Sequence, residues 1–427
     1  MAGDLPLHAL SAAEAVRRLR SGALTAERLA EACLARIAAE EPGVQAWQWL
    51  EPERVLAEAR RLDRLDPRPP LAGLPVGVKD IIDTRDLPTE CGTPLRRGRR
   101  PVADAVCVAR LRAAGGIVLG KTVTTELAFF GPGKTRNPRD PSRTPGGSSS
   151  GSAAAVAALM VPAALGSQTA GSVIRPAAFC GVVGMKPSFG LLPLEGVSAL
   201  APSLDTLGLF VREVEDLPVV AGALGLDLGA PPLAAPPRVG LCRTEAWAQA
   251  SPEVRANVER AAERLARAGA PVRELELPPA CDGLSHAQAT IMAVEAARTF
   301  AEERARGAAL MSEKLLALLA QGEATPPAAH QAALDRAAAA RAAFPGVFRD
   351  VDVLLGASAP GEAPEGLAST GDPALNRIWT ALGAPCLHLP RGVGPHGLPL
   401  GVQLVGPPRG DAALVAAAAW IDARLAR

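Results

Sequence analysis

The chain has 427 residues, 45 basic against 44 acidic, and 48% of them are hydrophobic. That length allows a large core, and the apolar fraction excludes a disordered chain. The balanced charge leaves no footprint for nucleic acid or for an anionic membrane surface. No charge-free run of 18 apolar residues occurs, so no membrane span is expected. The opening MAGDLPLHALSAAEAVRRL lacks a basic region, an apolar core and a cleavage site, so no signal peptide and a cytoplasmic location are expected. Seven cysteines at 33, 91, 107, 180, 242, 281 and 386 show no CxxC spacing, which suits reduced thiols and argues against structural zinc. The five histidines form no HxxxH or HExxH pair, so no metal and no cofactor are expected. Tyrosine is absent, and only five lysines occur: 79, 121, 134, 186 and 314.

Two helices open the chain. Ser11 with Glu14 forms a capping box and Gly22 closes the first helix, while Thr25 caps the second, whose Leu29, Cys33, Leu34 and Ile37 share a face. Residues 74–84, LPVGVKDIIDT, read as a buried strand interrupted by Lys79 and Asp80. Residues 105–114 read as a helix and 115–120 as the next buried strand; that alternation predicts an α/β fold. Residues 131–152, GPGKTRNPRDPSRTPGGSSSGS, read as loop, of a length that is usually functional or disordered. A small-residue helix over 153–160 follows, then a strand over 161–165 and a second turn, GSQTAGS, over 166–172. The proline-rich 229–237 connects to a strand at 239–242 and to a helix opened by Ser251-Pro252. Alanine-rich 283–345 reads as a peripheral helical layer with little chemistry. Strands at 351–357 and 398–406 and a helix from about Asp411 complete the chain.

Two motifs compete as decoys. Gly147-Ser148-Ser149-Ser150-Gly151 fits a GxSxG nucleophile elbow, but RDPSRTPG before it cannot supply the required strand. Gly131–Thr135, GPGKT, lacks the first glycine of a phosphate loop, since position 128 is Ala128. What remains is a pair of serine-bearing, glycine-rich turns and a lysine on an earlier strand. A serine nucleophile needs a base, and a lysine serves only when neutral, which burial favours. On pattern alone Lys79 is equally a buried lysine satisfied by Asp80 or Asp83.

The stretch 145–187, PGGSSSGSAAAVAALMVPAALGSQTAGSVIRPAAFCGVVGMKP, resembles the amidase signature, and the resemblance continues through GLPVGVKDIIDT (73–84), LGKTVTTELAF (119–129) and LPLGVQLVGPP (398–408). It implies a single α/β domain, one large mixed sheet between helices on both faces. Residues 1–70 would hold the N-terminal helices, 71–225 the catalytic core, 226–350 a variable helical layer, and 351–427 the closing strands and helix. It implies a triad in which Lys79 is the base, Ser148 the bridging serine after a cis peptide bond, and Ser172 the nucleophile. The backbone N–H groups of Thr169, Ala170, Gly171 and Ser172 would form the oxyanion hole. Ala170 stands where glycine is commoner, which raises the question of strain if that position needs φ > 0. Ser149, Ser150 and Ser152 are expected to cap loop and helix. Gln168 replaces a frequent aspartate and, with Arg175, is assigned to substrate binding. Arg175 stands three places after the nucleophile, as in malonamidase-like members, where this arginine holds a substrate carboxylate; the plain alternative is pairing with a protein acid. The implied reaction converts a small amide to carboxylate and ammonia, with carboxylated amides as an open preference and a homodimer as an open assembly. The rivals are the A-subunit of a tRNA-dependent amidotransferase and a non-catalytic binding protein on the same scaffold.

Overall fold

The computed structural model describes residues 5–426, so residues 1–4 and 427, the outermost parts of the expected terminal segments, lie outside it. Eleven strands form one sheet: β1 (Trp47–Leu50), β2 (Pro75–Lys79), β3 (Ile117–Thr122), β4 (Ala163–Gln168), β5 (Val183–Lys186), β6 (Thr206–Val211), β7 (Val239–Cys242), β8 (Val272–Leu275), β9 (Val353–Gly356), β10 (Cys386–Leu389) and β11 (Val402–Val405). Their order is β1-β3-β2-β4-β6-β5-β10-β11-β9-β7-β8. Strands β3, β2 and β4 run parallel, as do β9, β7 and β8, and antiparallel pairs join these blocks. Every residue of β2, β3 and β4 is buried. Successive residues of a strand point to opposite faces, so helices cover both faces there, and the strands read as apolar runs rather than alternating ones. Five strands, β1, β5, β6, β8 and β10, have no counterpart among the expected elements.

The N-terminal caps form as expected. Ser11 Oγ accepts from Glu14 N, Thr25 Oγ1 accepts from Arg28 N, and Gly22 closes its helix at φ 78°. The reciprocal half of the box is lost, because the Glu14 carboxylate accepts from Arg17 and Arg18 instead. No helix among the described residues is long and apolar enough to cross a membrane.

Two of the boundaries that differ from expectation lie beside the serine turns. The small-residue helix begins at Ser150, inside the expected loop, and the strand after it runs through Gly166, Ser167 and Gln168, which read as turn. Close packing explains both. A Cβ on Gly151 would sit 2.3 Å from the carbonyl of Ala46 and the nitrogen of Val123. A Cβ on Gly166 would sit 2.6 Å from the Phe210 ring and 2.8 Å from Ser149 Oγ. Small residues here serve helix-on-sheet contact, a tertiary cause that mimics turn composition.

Candidate active site

Lys79 ends β2 and is fully buried. Its Nζ donates to Ser148 Oγ at 2.7 Å and to Ser167 Oγ at 2.9 Å. Neither acid weighed as its partner reaches it: Asp80 pairs with Lys121 at 3.2 Å, and Asp83 with Arg99 at 2.7 Å. Burial pushes the Lys79 ammonium down to about 7, against an opposing pull from Asp205. An amine that is half neutral near pH 7 and bonded to a serine hydroxyl can exchange a proton with it.

Ser148 follows a cis Gly147-Ser148 peptide and is 2% exposed. The loop before it is anchored by buried Asn137, whose Nδ2 donates to the carbonyls of Thr144 and Phe179. The three serines that follow do not cap. Ser149 Oγ exchanges hydrogen bonds with the backbone of Ser167, Ser150 Oγ donates to the Val123 carbonyl, and Ser152 Oγ donates to the Leu165 carbonyl. They fasten the helix Ser150–Ala157 to the ends of β3 and β4. Ser149, the nucleophile of the elbow decoy, is thus fully buried and engaged.

The turn Thr169–Ser172 follows β4. The carbonyls of its first three residues are drawn into the protein: Thr169 O accepts from Gln288 Nε2 at 2.8 Å, Ala170 O from Thr380 Oγ1 at 2.8 Å, and Gly171 O from Arg175 N at 2.9 Å. In a trans peptide the N–H points opposite its carbonyl. The N–H groups of Ala170, Gly171 and Ser172 therefore turn the other way, and among the described residues they have no protein acceptor. Such a row of free donors is what a developing oxyanion requires. Ala170 is not among the residues with positive φ, so alanine there carries no backbone strain. Ser172 is 8% exposed, and its hydroxyl makes no protein hydrogen bond among the described residues. Ser172, Ser148, Thr169 and Arg175 line one small cavity, with Phe130 and Met292.

Gln168 does not line that cavity. Its Oε1 accepts from Val173 N and Ile174 N, and its Nε2 donates to Thr380 Oγ1. With both ends engaged, the side chain holds the start of the helix Ile174–Cys180, away from the cavity, where the sequence assigns it to substrate binding.

Arg175 lies in the first turn of that helix and is 2% exposed. Its Nη2 donates to the Gly147 carbonyl at 2.6 Å and to Thr370 Oγ1 at 3.2 Å, and its guanidinium carbon stands 5.2 Å from the Phe130 ring centre. The Nε and Nη1 donors are buried without a protein partner. No protein acid forms an ion pair with Arg175 among the described residues. Burial, and then the nearby Arg377, push the guanidinium down to about 9, still cationic at neutral pH. A buried cation with unmatched donors, on a residue that lines the cavity, suits a carboxylate.

The family model Amidase matches residues 28–415. The chain belongs to the amidase signature family. It is similar over nearly its whole length to the A-subunit of the glutamyl-tRNA(Gln) amidotransferase of Roseiflexus castenholzii, 35% identical over 455 aligned residues, covering 94% of this chain and 93% of the relative. A solved structure of an amidase superposes with a TM-score of 0.90 at 32% identity, covering 97% of this chain and 100% of that one. The peptide amidase from Stenotrophomonas maltophilia superposes with a TM-score of 0.82 at 29% identity, covering 99% and 98%. The chain is thus a hydrolase of C–N amide bonds built on a large mixed α/β sheet.

Three residues of this amidase site escaped the sequence reading. Ser167, second partner of Lys79, sat in a stretch read as turn. Asp205 is buried and accepts from Thr169 Oγ1 and from the backbone of Leu200 and Ala201; burial raises its carboxyl to about 6. Gln288 comes from the helix Leu284–Thr299, inside the layer expected to be peripheral, and also accepts from Arg377. No local pattern announces a contact that spans 119 positions; a polar residue on the buried face of an alanine-rich helix is the one available signal.

Proposed function

We propose that this chain hydrolyses a small primary amide to carboxylate and ammonia, with Ser172 as nucleophile and Ser148 and Lys79 as its proton relay. One observation carries the reading: a fully buried lysine, held by hydroxyls and no acid, bonds a serine that shares a cavity with an unengaged second serine. Ser172 Oγ attacks the amide carbon and passes its proton to Ser148, which passes its own to neutral Lys79. The oxyanion meets the N–H groups of Ala170, Gly171 and Ser172. The proton returns to the leaving nitrogen, the C–N bond breaks, and ammonia departs. Water then cleaves the acyl-enzyme by the same relay. The single sheet that gathers strands from β1 to β11 supports one catalytic domain over 1–427.

Arg175 supports a substrate with a carboxylate at the end remote from the scissile amide. This also bears on the choice between a free-standing amidase and an amidotransferase A-subunit. The 35% identity to one such A-subunit favours the second reading over the first, although sequence motifs alone put them in the opposite order. Glutamine satisfies both: a primary amide with a carboxylate at its far end. The complete relay speaks against a non-catalytic scaffold. The test compares kcat/KM for glutamine, malonamate and propionamide with the chain alone and after mixing with a cell extract. Turnover of the carboxylated amides by the chain alone supports a free-standing amidase; turnover that appears only with a co-purifying second protein supports the A-subunit reading. No turnover of any amide in either setting contradicts both.

A further inference from the structure

A peptide unit is rigid and trans, so fixing its carbonyl aims the N–H on its opposite side. In the turn Thr169–Ser172, the Ala170–Gly171 unit is fixed through Thr380 Oγ1, from the helix Ala374–Ala381, and the Gly171–Ser172 unit through Arg175 N. The Thr169–Ala170 unit carries the first of the proposed oxyanion donors. Its carbonyl has one protein donor among the described residues, Gln288 Nε2 at 2.8 Å.

An amide side chain can present either end. Its nitrogen donates and its oxygen only accepts, so the end that meets the Thr169 carbonyl has to be the nitrogen. Met292 Sδ lies 3.9 Å from that nitrogen, but a thioether is a weak acceptor. The stronger constraint is at the other end. Gln288 Oε1 accepts from Arg377 Nη1 at 2.8 Å, and a guanidinium has donors only. Toward Arg377 the amide can therefore offer only its oxygen, which leaves the nitrogen for Thr169. This is the one side-chain hydrogen bond of Arg377 among the described residues. Neither Gln288 nor Arg377 lines the cavity of Ser172; Arg377 lines a separate polar cleft with Glu245, His286 and Asp372.

We infer that Arg377 is a positioning residue for amide hydrolysis: it orients the Gln288 amide, so that Gln288 holds the Thr169 carbonyl and the Ala170 N–H faces the oxyanion. This rests on the Ser172 reading and deepens it. Arg377 touches neither substrate nor reacting atoms, and acts through two hydrogen bonds in series.

The experiment measures kcat and KM for malonamate and propionamide, and the rate of fluorophosphonate labelling of Ser172, in the full chain. The variants are Arg377→Met, Arg377→Lys, Gln288→Leu and the double variant that combines Arg377→Met with Gln288→Leu. Methionine keeps much of the length and removes the donors, while lysine keeps a head that only donates. Arg377→Met should lose about tenfold in kcat, as Gln288→Leu should, with KM little changed and the same loss on both amides. Labelling, in which a phosphoryl oxygen enters the same hole, should slow by a similar factor. Arg377→Lys should recover most of the loss. The double variant should be no slower than Gln288→Leu, since without the amide Arg377 has nothing to orient. Losses that multiply in the double variant overturn the inference, as does an Arg377→Met chain that keeps the full rate. A loss confined to malonamate also overturns it, and assigns the Arg377 charge to the substrate carboxylate. Circular dichroism checks the fold, and Arg377→Ala is the second variant if Arg377→Met does not fold. Failure of the Ser172 reading shows separately, as an unaltered chain that turns over no amide and takes no label at Ser172; that result overturns both.

Discussion

Strands β2 and β3 run parallel and end side by side, with Lys79 opposite Thr122 and Lys121 opposite Val78. Each strand thus carries a fully buried lysine, and the two meet opposite chemistry. Lys121 Nζ lies 3.2 Å from Asp80 and donates to Thr89 Oγ1 and the Pro88 carbonyl. Lys79 Nζ meets two serine hydroxyls and no carboxylate. Burial lowers the pKa of both, but the adjoining carboxylate opposes it at Lys121. A hydroxyl can bond either an ammonium or a neutral amine, whereas a buried carboxylate favours the ammonium. The difference is what the proposed division between a base, Lys79, and a structural cation, Lys121, rests on, although both lysines sit in similar apolar runs.

The largest effect is expected at Ser172, the proposed nucleophile. Ser172→Ala should reduce kcat by about 10⁴-fold or more. Its melting temperature should stay close to that of the unaltered enzyme, since a turn hydroxyl with no protein bond adds little packing. A fluorophosphonate should label Ser172 in the unaltered chain, and mass spectrometry would locate it. Label on Ser149 would restore the elbow.

Next come the two lysines, which break the comparison directly. Lys79→Ala should lose about 10³-fold in kcat while stability shifts by no more than about 1–2 kcal/mol, because no buried acid is orphaned. Lys79→Arg should not restore turnover, since guanidinium remains protonated. Lys121→Ala should do the reverse. It strands Asp80 in the core and should cost about 3–5 kcal/mol in urea unfolding, with far less effect on kcat of the folded enzyme. Similar kinetic losses at both positions would erase the distinction.

A smaller, selective effect is expected at Arg175. Arg175→Ala should lower kcat/KM by about thirty- to a thousandfold on malonamate, the equivalent of roughly 2–4 kcal/mol. Propionamide should be hurt little. Equal losses on both would assign Arg175 to the support of Gly147 and Thr370, with which it already bonds. The smallest expected effect is at Gln288. Gln288→Leu frees the Thr169 carbonyl and should lower kcat by about tenfold with KM little changed, as a loosened oxyanion donor would. A change in KM alone would place Gln288 in substrate binding instead.

What the sequence made legible follows the range of the interactions involved. Lys79, Ser148, Ser172 and Arg175 lie on short segments whose motifs keep order and spacing, and the structure gathers the last three around one cavity with Lys79 bonded behind Ser148. The parallel core β2, β3 and β4 announced itself because strands buried on both faces are apolar throughout. Gly166–Gln168 misled because glycine and serine signal turns, yet here they admit Phe210 and Ser149. Strand β8 is partly exposed and reads VREL, too polar and short for its pattern to stand out. Gln168 looked like a substrate contact by position, while its role as a helix anchor depends on Val173, Ile174 and Thr380 meeting it in space.

The central claim, that a neutral Lys79 activates Ser172, is tested most directly by the rate of fluorophosphonate labelling of Ser172 as a function of pH. The protonated lysine cannot accept the relay proton, so the group must lose its charge before the serine reacts. With its pKa lowered to about 7 by burial, labelling should rise as pH increases through about 7 and level off above it. In Lys79→Ala the limb should vanish with the rate. A labelling rate at Ser172 that stays flat from about pH 5.5 to about pH 8.5, or that keeps its limb in Lys79→Ala, would contradict the account.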